Sequence, residues 1–470
     1  LNDLSPAATF IAYNYNTPVD IAEFEKEAKR ILAECEKECG WMYETQHTVD
    51  GKLQYGIDEK PIIGRINYTV WSDVFICPSC SNEIVFWDAA VDKEKGKVNN
   101  IFFCPYCRSE LTKRNCTRAQ ETHFDTRLNE FATMAKQVPV LINYSVGNKR
   151  FEKTPDEFDL ALIEKINNME ISYWYPTKKL PIGDKTREPI RLGITHVHQF
   201  YTRRNLVILS SIFDKVKSII MLFVFTGLLT RSSKQSRFLS KNYFQGGGGW
   251  VGTSLSGTLF IPSLNIEVIP TFTFSNRTEA VKRIVNNMKK AEIITTQSTN
   301  SLQNIPDDCL DYIFTDPPFG GNLNYSELNF IWESWLKVFT NQKQEAIMST
   351  VQGKGLLEYQ SLMTQCFTEC YRILKPGRWM TVEFHNSQNS VWNAIQESLM
   401  RAGFIIADVR TINKQQGSFN QVTTTSAVKQ DLVISAYKPK ESFKREFISY
   451  AGSEETAWSF VRQHLENLPV

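Results

Sequence analysis

The sequence predicts an α/β protein with a largely parallel sheet and a small zinc ribbon inserted into it. Over residues 277–438, helical patterns alternate with short apolar strand patterns, which is typical of a parallel sheet covered by helices on both faces. Two Cys-x2-Cys pairs occur within residues 77–107, where strand-like segments and a polar turn replace the helical pattern. In such sheets, ligands bind at the carboxyl ends of the strands.

The composition is that of an ordinary globular protein. The chain has 470 residues, a formal net charge of +2, 42% hydrophobic and 22% charged residues, which predicts two or three domains. The small net charge means that any surface for nucleic acid must be local. The most apolar run, residues 218–229, is too short to cross a bilayer, and no signal-peptide pattern is present. We therefore expect no membrane partner and a reducing, cytoplasmic location.

The two Cys-x2-Cys pairs predict a structural metal site. The pairs are separated by 23 residues, slightly more than is usual for a zinc ribbon. Four thiolates complete a tetrahedral zinc site and leave no open position for catalysis. The predicted zinc ligands are Cys77, Cys80, Cys104 and Cys107.

The segment IFTDPPFGGNLNY, residues 313–325, places an acid, two prolines and a phenylalanine directly after a predicted strand. Prolines fix φ and lack an amide donor, so the turn is rigid and its carbonyl groups lack ladder partners. The carboxylate of Asp316 and a carbonyl held by Pro317 and Pro318 offer two hydrogen-bond acceptors with a fixed direction. Such a pair suits an amino group on an aromatic ring, and Phe319 can stack on that ring, which is worth about 1–3 kcal/mol per base.

Two basic segments are candidate surfaces for nucleic acid. One lies in a proline-rich loop after three aromatic residues, and the other precedes four glycines in what the sequence predicts to be a mobile loop. A solvated loop with inward-packed aromatic side chains and a plain surface linker also explain these patterns. The candidate residues are Lys178, Lys179, Arg231, Lys234, Arg237, Gly247 and Gly248.

Three segments resemble the DNA amino-methyltransferases that use S-adenosylmethionine. These are TDPPFGG, the preceding LQNIPDDCLDYIFT and the following LKPGRWMTVEFHN, and the motif of that family is Asp/Asn/Ser-Pro-Pro-Tyr/Phe. The resemblance implies a Rossmann-like methyltransferase sheet, mostly parallel with an antiparallel last strand. It also implies DNA as the partner, S-adenosylmethionine as the cofactor, and methyl transfer to an exocyclic amino group of a flipped base. Aspartate at the first motif position favours adenine N6 over cytosine N4.

The same resemblance implies a set of residues for catalysis and for the cofactor. NDLSPAATFIA is similar to the segment whose acid binds the cofactor ribose, and QFYTRRNL to the segment that contacts its methionine end. Ser298 stands where the family often has an acid near the cofactor adenine. The implied catalytic residues are Asp316, Pro317, Pro318 and Phe319. The implied cofactor-binding residues are Asp3, Ser5, Phe200, Tyr201, Thr202, Ser298 and Asp316.

One departure from the family concerns the glycine-rich cofactor loop, Asp-Pro-Phe-x-Gly-x-Gly, which this sequence does not contain. We therefore expect that the chain begins inside the methyltransferase fold, and that an upstream segment or a second chain supplies the loop. The predicted organisation places the start of the methyltransferase domain first, then the zinc-ribbon insertion, an accessory insertion that could recognise the target, the methyltransferase core and a helical tail. The corresponding ranges are 1–45, 46–125, 126–195, 196–440 and 441–470.

Two other functions agree with the same residues. An RNA methyltransferase acting on guanine N2 can carry a similar Asp-Pro-Pro turn, although no further RNA-binding module is recognisable. A catalytically silent nucleic-acid-binding partner of a methyltransferase would explain the absent glycine loop, but it would have no need of the intact Asp-Pro-Pro-Phe turn. A plain α/β protein that uses this turn only as a rigid corner is the simplest alternative.

Overall fold

The computed structural model describes residues 1–246, 251–285, 292–321, 323–386, 388–413, 430–451 and 453–467. The chain forms two compact units. The first unit comprises Leu1–Thr9, Ile293–Ser326 and Phe339–Val470. The second unit comprises Phe10–Glu292 and Glu327–Val338.

Strands occur in both units. In chain order, the strands of the described residues are β1 (Asn2–Asp3), β2 (Glu44–Gln46), β3 (Thr48–Val49), β4 (Lys52–Leu53), β5 (Ile63–Ile76), β6 (Glu83–Val85), β7 (Val91–Asp92), β8 (Lys97–Val98), β9 (Ile101–Phe103), β10 (Glu110–Thr112), β11 (Thr117–Arg118), β12 (Gln120–Asp125), β13 (Glu130–Ala135), β14 (Gln137–Val146), β15 (Lys149–Lys153), β16 (Arg237–Phe238), β17 (Gly252–Thr253), β18 (Leu264–Val268), β19 (Thr295–Thr296), β20 (Leu310–Thr315), β21 (Leu374–Phe384), β22 (Ile405–Asn413) and β23 (Gln430–Tyr437).

Helices connect and cover these strands. The α-helices of the described residues are α1 (Pro6–Asn16), α2 (Ile21–Cys39), α3 (Phe86–Ala90), α4 (Glu157–Asn167), α5 (Arg187–Arg191), α6 (Arg203–Lys215), α7 (Ile219–Thr226), α8 (Ser240–Phe244), α9 (Pro270–Val285), α10 (Tyr325–Leu328), α11 (Phe330–Leu336), α12 (Leu356–Ile373), α13 (Asn389–Ala402), α14 (Glu441–Ser449) and α15 (Glu454–Asn467). Short 3-10 helices span Gly40–Tyr43, Val197–Phe200 and Gln342–Gln344.

The first unit contains a four-stranded sheet in the order β20–β21–β23–β22. β20 and β21 are parallel, and β23, the last strand in the chain, lies antiparallel to both of its neighbours. β20, β21 and β22 therefore run in the same direction. β1 and β19 form a separate parallel pair.

Helix α12 covers the sheet of the first unit with one apolar face. Tyr359, Met363, Phe367 and Cys370 recur at helical spacing and are all buried, so one apolar face of the helix packs into the core. This core also contains the strand residues that point to the same side, together with apolar residues of α13. The helix ends at Ile373, and β21 follows at once.

The second unit is built around β5, a strand of 14 residues. β5 pairs antiparallel with β14 and β18, and also with β2, β6 and β11 at its two ends. The larger sheet has the order β15–β14–β5–β18–β16–β17. Two apolar clusters fill this unit, a larger one among its helices and a smaller one around the four-cysteine ribbon.

The predicted α/β content is confirmed, and three of the four strands in the β20–β23 sheet run in one direction, but the other sheets of the described strands are antiparallel apart from the β1–β19 pair. Their parallel ladders are β1–β19 and β20–β21, and every other ladder is antiparallel. The physical reason is that apolar periodicity predicts where a strand lies but not which strand it pairs with. The strand direction within the β20–β23 sheet does agree with the predicted antiparallel last strand.

Candidate functional site

The Asp-Pro-Pro-Phe turn lies at the carboxyl end of β20. The strand ends at Thr315, Asp316 is the next residue, and its side chain is exposed. Pro317 is buried directly behind it. Because β20 pairs parallel with β21, this end of the strand is where an α/β sheet binds its ligands.

The two proline carbonyls of the turn differ in their hydrogen bonds. The Pro318 carbonyl accepts the hydroxyl of Tyr359 at 2.8 Å and the amide of Gly320 at 3.0 Å. The Pro317 carbonyl accepts no hydrogen bond from any residue that the structure describes. Gly320 has φ of +69°, a conformation that favours glycine, and a Cβ there would meet Asn386 Nδ2 at 3.1 Å. The turn is thus fixed on one side and offers the Pro317 carbonyl on the other.

Phe319 packs at the edge of the core of the first unit. Its ring meets the ring of Phe384 edge-on, with centroids 5.6 Å apart. The centroid of the His385 ring lies 6.0 Å from that of Phe319. Asn386 Nδ2 donates to the Phe319 carbonyl at 3.0 Å. His385 Nδ1 in turn lies 2.7 Å from Asp431. The sequence analysis missed His385 and Asn386, although both directly follow a strand, which is the signal that identified Asp316.

Asp3 ends β1 in the same unit. Its Oδ1 accepts the amide of Ser5 at 2.7 Å, and this contact turns the chain into α1. The surrounding protein raises the pKa of the Asp3 carboxyl through burial, while the Ser5 amide opposes that shift. The carboxylate nevertheless keeps an exposed surface. Ser5 is buried, and its Oγ accepts the amide of Ala8 at 3.4 Å, so its side chain begins the helix.

Tyr325 lies within electrostatic range of both predicted carboxylates. Burial raises the pKa of its hydroxyl, and the charges of Asp316, Asp3 and Glu345 raise it further. Asp3 and Asp316, 313 positions apart in the sequence, are therefore both within electrostatic range of one phenolic side chain. The sequence analysis did not single out Tyr325, because nothing in its local pattern predicts that both acids act on it.

The remaining predicted cofactor residues are enclosed by protein. Ser298 is buried after β19, and its Oγ accepts the amide of Asn300 at 3.4 Å. In the second unit, Phe200 and Tyr201 are buried in the larger apolar cluster. Thr202 caps α6 by accepting the amide of Asn205 at 3.3 Å, and it donates to Glu267. Because core and cap contacts occupy Phe200, Tyr201 and Thr202, we leave these three out of the proposed site.

The four predicted zinc ligands come together. Their sulfur atoms all lie within 4.8 Å of one another, with Cys77 and Cys107 3.6 Å apart and Cys80 and Cys104 3.7 Å apart. Two tight turns produce this cluster. Ser81 donates its amide to the Cys77 carbonyl and Arg108 donates to the Cys104 carbonyl, and both donors have positive φ.

The cluster suits a divalent metal with soft ligands. Hydrogen bonds with Ser109 lower the pKa of the Cys107 thiol to about 6, which favours the thiolate form that binds metal. Four cysteine ligands at this separation match the donor set of a structural zinc site. The cluster lies in the second unit. One cysteine pair lies in the turn between β5 and β6, and the other in the turn between β9 and β10.

The candidate nucleic-acid residues differ in how far their side chains are exposed. Lys178 and Lys179 are exposed. Arg231 is exposed and lines a cavity of about 190 Å³ with Phe272 and other residues. Arg237 is half-buried in β16. Gly247 and Gly248 lie outside the described residues.

The segment before the glycines is not the mobile loop that the sequence predicts. Ser232, Ser233, Gln235 and Ser236 are buried, and the Ser233 hydroxyl donates to the Thr230 carbonyl at 2.7 Å. The next two residues form β16, which pairs with β17 and β18. The polar composition of the segment misled the prediction, because the turn is packed into the protein and the Ser233 hydroxyl satisfies its backbone.

The aromatic residues beside Lys178 are also mostly turned inward. Tyr175 is buried, and the Tyr173 hydroxyl donates to Glu38 at 2.6 Å. Trp174 is 41% exposed and carries the ammonium of Lys337 over its ring at 4.0 Å. These contacts favour the inward-packed loop over a base-stacking surface.

Comparison with known proteins gives one family match. Residues 310–468 match the family described as DNA methylase. The matched region begins at β20, contains the Asp-Pro-Pro-Phe turn and covers about a third of the chain. It supports a DNA methyltransferase. No curated protein matches the sequence.

Several solved structures are similar over part of the chain. A DNA modification methylase of Thermus thermophilus is 11% identical, with 32% of this chain and 56% of that chain covered and a TM-score of 0.19. The chain thus spans little more than half of that protein. A SAM-dependent methyltransferase of Methanosarcina mazei is 12% identical, with coverage of 35% and 77% and a TM-score of 0.20. TM-scores this low do not define a common fold.

Among the described helices, none combines the length and the apolar character that crossing a membrane requires.

Proposed function

We propose that the protein is a DNA methyltransferase that transfers a methyl group from S-adenosylmethionine to an exocyclic amino group, adenine N6, of a flipped base. The observation that carries this proposal is the pair of acceptors at the end of β20, within a region that matches DNA methylases. Asp316 supplies a carboxylate, and Pro317 supplies a carbonyl with no hydrogen bond from the described residues.

The two acceptors would act on the amino group of the base. That nitrogen is a poor nucleophile because its lone pair is delocalised into the ring. When the Asp316 carboxylate and the Pro317 carbonyl accept its two hydrogens out of the ring plane, the nitrogen becomes more nearly tetrahedral and its lone pair becomes available. The methylated nitrogen then loses one proton to water, so the chemistry needs no additional base.

The cofactor would supply an electrophilic methyl group on a sulfonium. In this chain, the carboxylate of Asp3, an exposed residue at the end of β1, is the proposed acceptor for the ribose hydroxyls. Asp3 ends β1 and Asp316 follows β20 in the same unit, and both lie within electrostatic range of Tyr325, which supports their assignment to one site. Phe319 is proposed to lie against the base, with its ring held from behind by Phe384.

Methyl transfer tests the proposal directly. Tritium from labelled S-adenosylmethionine should appear in DNA incubated with the 470-residue chain, and hydrolysis should yield N6-methyladenine. Asp316→Ala should reduce transfer by about 100-fold or more, the loss that follows removal of one fixed polar group that acts in the transition state. Asp311→Ala is the matched control, since Asp311 is an exposed acid of β20 that forms surface ion pairs with Lys375 and Arg378.

The outcome also separates the other candidates. Label in RNA as N2-methylguanine, and none in DNA, would identify an RNA enzyme. DNA binding without transfer to either nucleic acid would identify a silent partner. Label in DNA as N4-methylcytosine would keep the mechanism and change the base.

A further inference from the structure

A cavity of about 190 Å³ lies in the second unit beside the start of α9. One water molecule needs roughly 10–15 Å³ of such space, so a much larger group fits. No carboxylate is among the described residues that line it, and one lining side chain is a cation. The residues of this cavity, called the Arg231 cavity, are Arg231, Ser236, Val268, Phe272, Thr273 and Asn276.

Arg231 supplies the positive charge of the cavity. It is exposed, and it makes no ion pair within 4.0 Å with any residue that the structure describes. The acid next to Val268 in the sequence, Glu267, is paired with Arg204 instead. The guanidinium donors of Arg231 are therefore available to a ligand. An exposed arginine is not a site by itself, so the buried groups beside it decide.

Ser236 is a buried polar residue of the cavity. It is 2% exposed, yet its hydroxyl makes no hydrogen bond with any described residue. Its backbone is fully used, because its amide donates to the Ser233 carbonyl at 3.1 Å and its carbonyl accepts the amide of Ile266 at 2.8 Å. Buried hydroxyls are normally hydrogen-bonded. A fixed hydroxyl that lines a cavity without a protein partner therefore indicates a polar ligand.

Helix α9 adds three residues to the lining. The helix has 16 residues and begins at Pro270, so Phe272 and Thr273 belong to its first turn. Asn276 follows Phe272 by four positions and therefore lies on the same face, where its side-chain amide offers donors. The N-terminus of a helix carries a partial positive charge, which adds to the charge of Arg231. Together with the absence of a lining carboxylate, these donors favour an anion.

We propose that the Arg231 cavity binds a backbone phosphate of DNA, with Arg231, Ser236 and Asn276 as the donors. This assignment rests on the proposed function, which makes DNA the substrate. The unesterified oxygens of a phosphodiester accept from a guanidinium and a hydroxyl at once. Phe272 is 49% exposed and offers an apolar surface to the adjoining deoxyribose. The contact carries no sequence information and would hold the duplex in register.

Salt-dependent DNA binding tests this inference. Fluorescence anisotropy of the full chain with a labelled duplex is measured over a series of salt concentrations. Arg231→Ala should reduce the slope of log K against log salt by about 0.9, the value for one lost phosphate contact. Ser236→Ala should weaken binding several-fold at an unchanged slope, because it removes a hydrogen bond and no charge. Arg277→Ala is the matched control, since Arg277 is an exposed cation of α9 that does not line the cavity.

Each outcome decides the inference. An unchanged slope for Arg231→Ala would overturn it, and so would equal losses of slope in Arg231→Ala and Arg277→Ala, which would indicate general surface charge. Unchanged affinity of Ser236→Ala would also overturn it. Should that variant fail to fold, Asn276→Ala, at an exposed position, takes its place with the same expectation.

Methyl transfer is measured on the same samples to separate this inference from the proposed function. Transfer by the parent, with a slope that does not depend on Arg231, would reject the phosphate site alone. Arg231-dependent DNA binding without transfer would reject the proposed function alone.

Discussion

At the residue scale, the turn after β20 uses its hydrogen-bonding groups unequally. Tyr359 and Gly320 both donate to the Pro318 carbonyl, which fixes the second peptide of the turn. No described residue donates to the Pro317 carbonyl. A rigid backbone that presents one acceptor is the preorganised arrangement that catalysis on an amino group requires. Pro317 has no amide N–H, so it cannot donate a hydrogen bond to an acceptor of a competing ligand.

Tyr359→Phe tests the support of this turn. The hydroxyl of Tyr359 is lost, but Gly320 still donates to the Pro318 carbonyl, so unfolding should become easier by only about 0.5–1.5 kcal/mol. The rate of methyl transfer should fall several-fold, because the turn is held less firmly. Urea unfolding and single-turnover transfer measure the two effects. A rate equal to that of the parent would mean that Tyr359 serves stability only.

Gly320→Ala tests the backbone of the same turn. The φ of +69° costs an alanine about 1–2 kcal/mol relative to glycine, and the new Cβ lies 3.1 Å from Asn386 Nδ2. We therefore expect lower stability in urea and reduced transfer. Gly353→Ala is the control, since Gly353 also has positive φ but its Cβ would meet nothing within 4 Å. Equal losses in both variants would show that strain alone, and not contact with Asn386, causes the effect.

At the element scale, α6 and β18 are joined by a buried ion pair. Arg204 of α6 and Glu267 of β18 are both nearly fully buried, and Trp71 of β5 also donates to Glu267 at 3.1 Å. Burial by itself raises the pKa of Glu267, but the charge and hydrogen bonds of Arg204 outweigh burial, so the net pKa is lowered. These contacts therefore fix the position of α6 relative to β18 and β5.

This lowered pKa predicts a direction for acid unfolding. A carboxyl whose pKa is lower in the folded state stabilises the fold above its unfolded pKa, about 4.5, and loses that contribution as the pH falls through the folded value. Glu267→Gln should lose about 3–5 kcal/mol at pH 7, because Arg204 then stays buried without a counter-charge. It should also be less sensitive to pH below 4.5 than the parent. Urea unfolding across pH, with Glu94→Gln as control because Glu94 is exposed, measures both effects.

The second prediction at the element scale concerns the four-cysteine ribbon. Cys104→Ser should lose the metal, because three thiolates bind zinc far less tightly than four, and the hairpin of β9 and β10 should lose protection from proteolysis. Zinc content by atomic absorption measures the first effect. Cys116→Ser is the control, since Cys116 lies outside the cluster of four sulfur atoms. Equal zinc content in parent and Cys104→Ser would reject the site.

At the scale of the whole molecule, each unit has an apolar core of its own. The core of the first unit is formed by α12, α13 and the β20–β23 sheet, and the family match falls almost entirely on this unit. The second unit contains the long antiparallel sheet and the four-cysteine cluster. The residues proposed for methyl transfer therefore belong to the first unit, and the proposed zinc ligands belong to the second.

A core substitution tests the first unit by itself. Leu399 is fully buried in its core, so Leu399→Ala should destabilise that unit by about 2–5 kcal/mol. Leu357→Ala is the control, because Leu357 is 75% exposed at the start of α12. Unfolding in urea, followed by tryptophan fluorescence and by loss of methyl transfer, measures the difference. Similar midpoints for the two variants would contradict the assigned core.

The sequence by itself determined the features that depend on local chemistry. The meeting of Cys77, Cys80, Cys104 and Cys107 in one cluster could be predicted because thiol spacing is a local property of two tight turns. Asp316 and the prolines identify a rigid acceptor at a strand end for the same reason. The mixed α/β content and the antiparallel last strand could also be predicted, from hydrophobic periodicity and from the family resemblance.

Only the tertiary structure decided which distant residues meet. Strand pairing is non-local, so the antiparallel sheet around β5 could not be read from periodicity. Asp3 and Asp316 both lie within electrostatic range of Tyr325, although they are far apart in sequence. Local polarity was misleading for the turn at residues 232–236, because burial is set by what packs against a segment and not by its own composition.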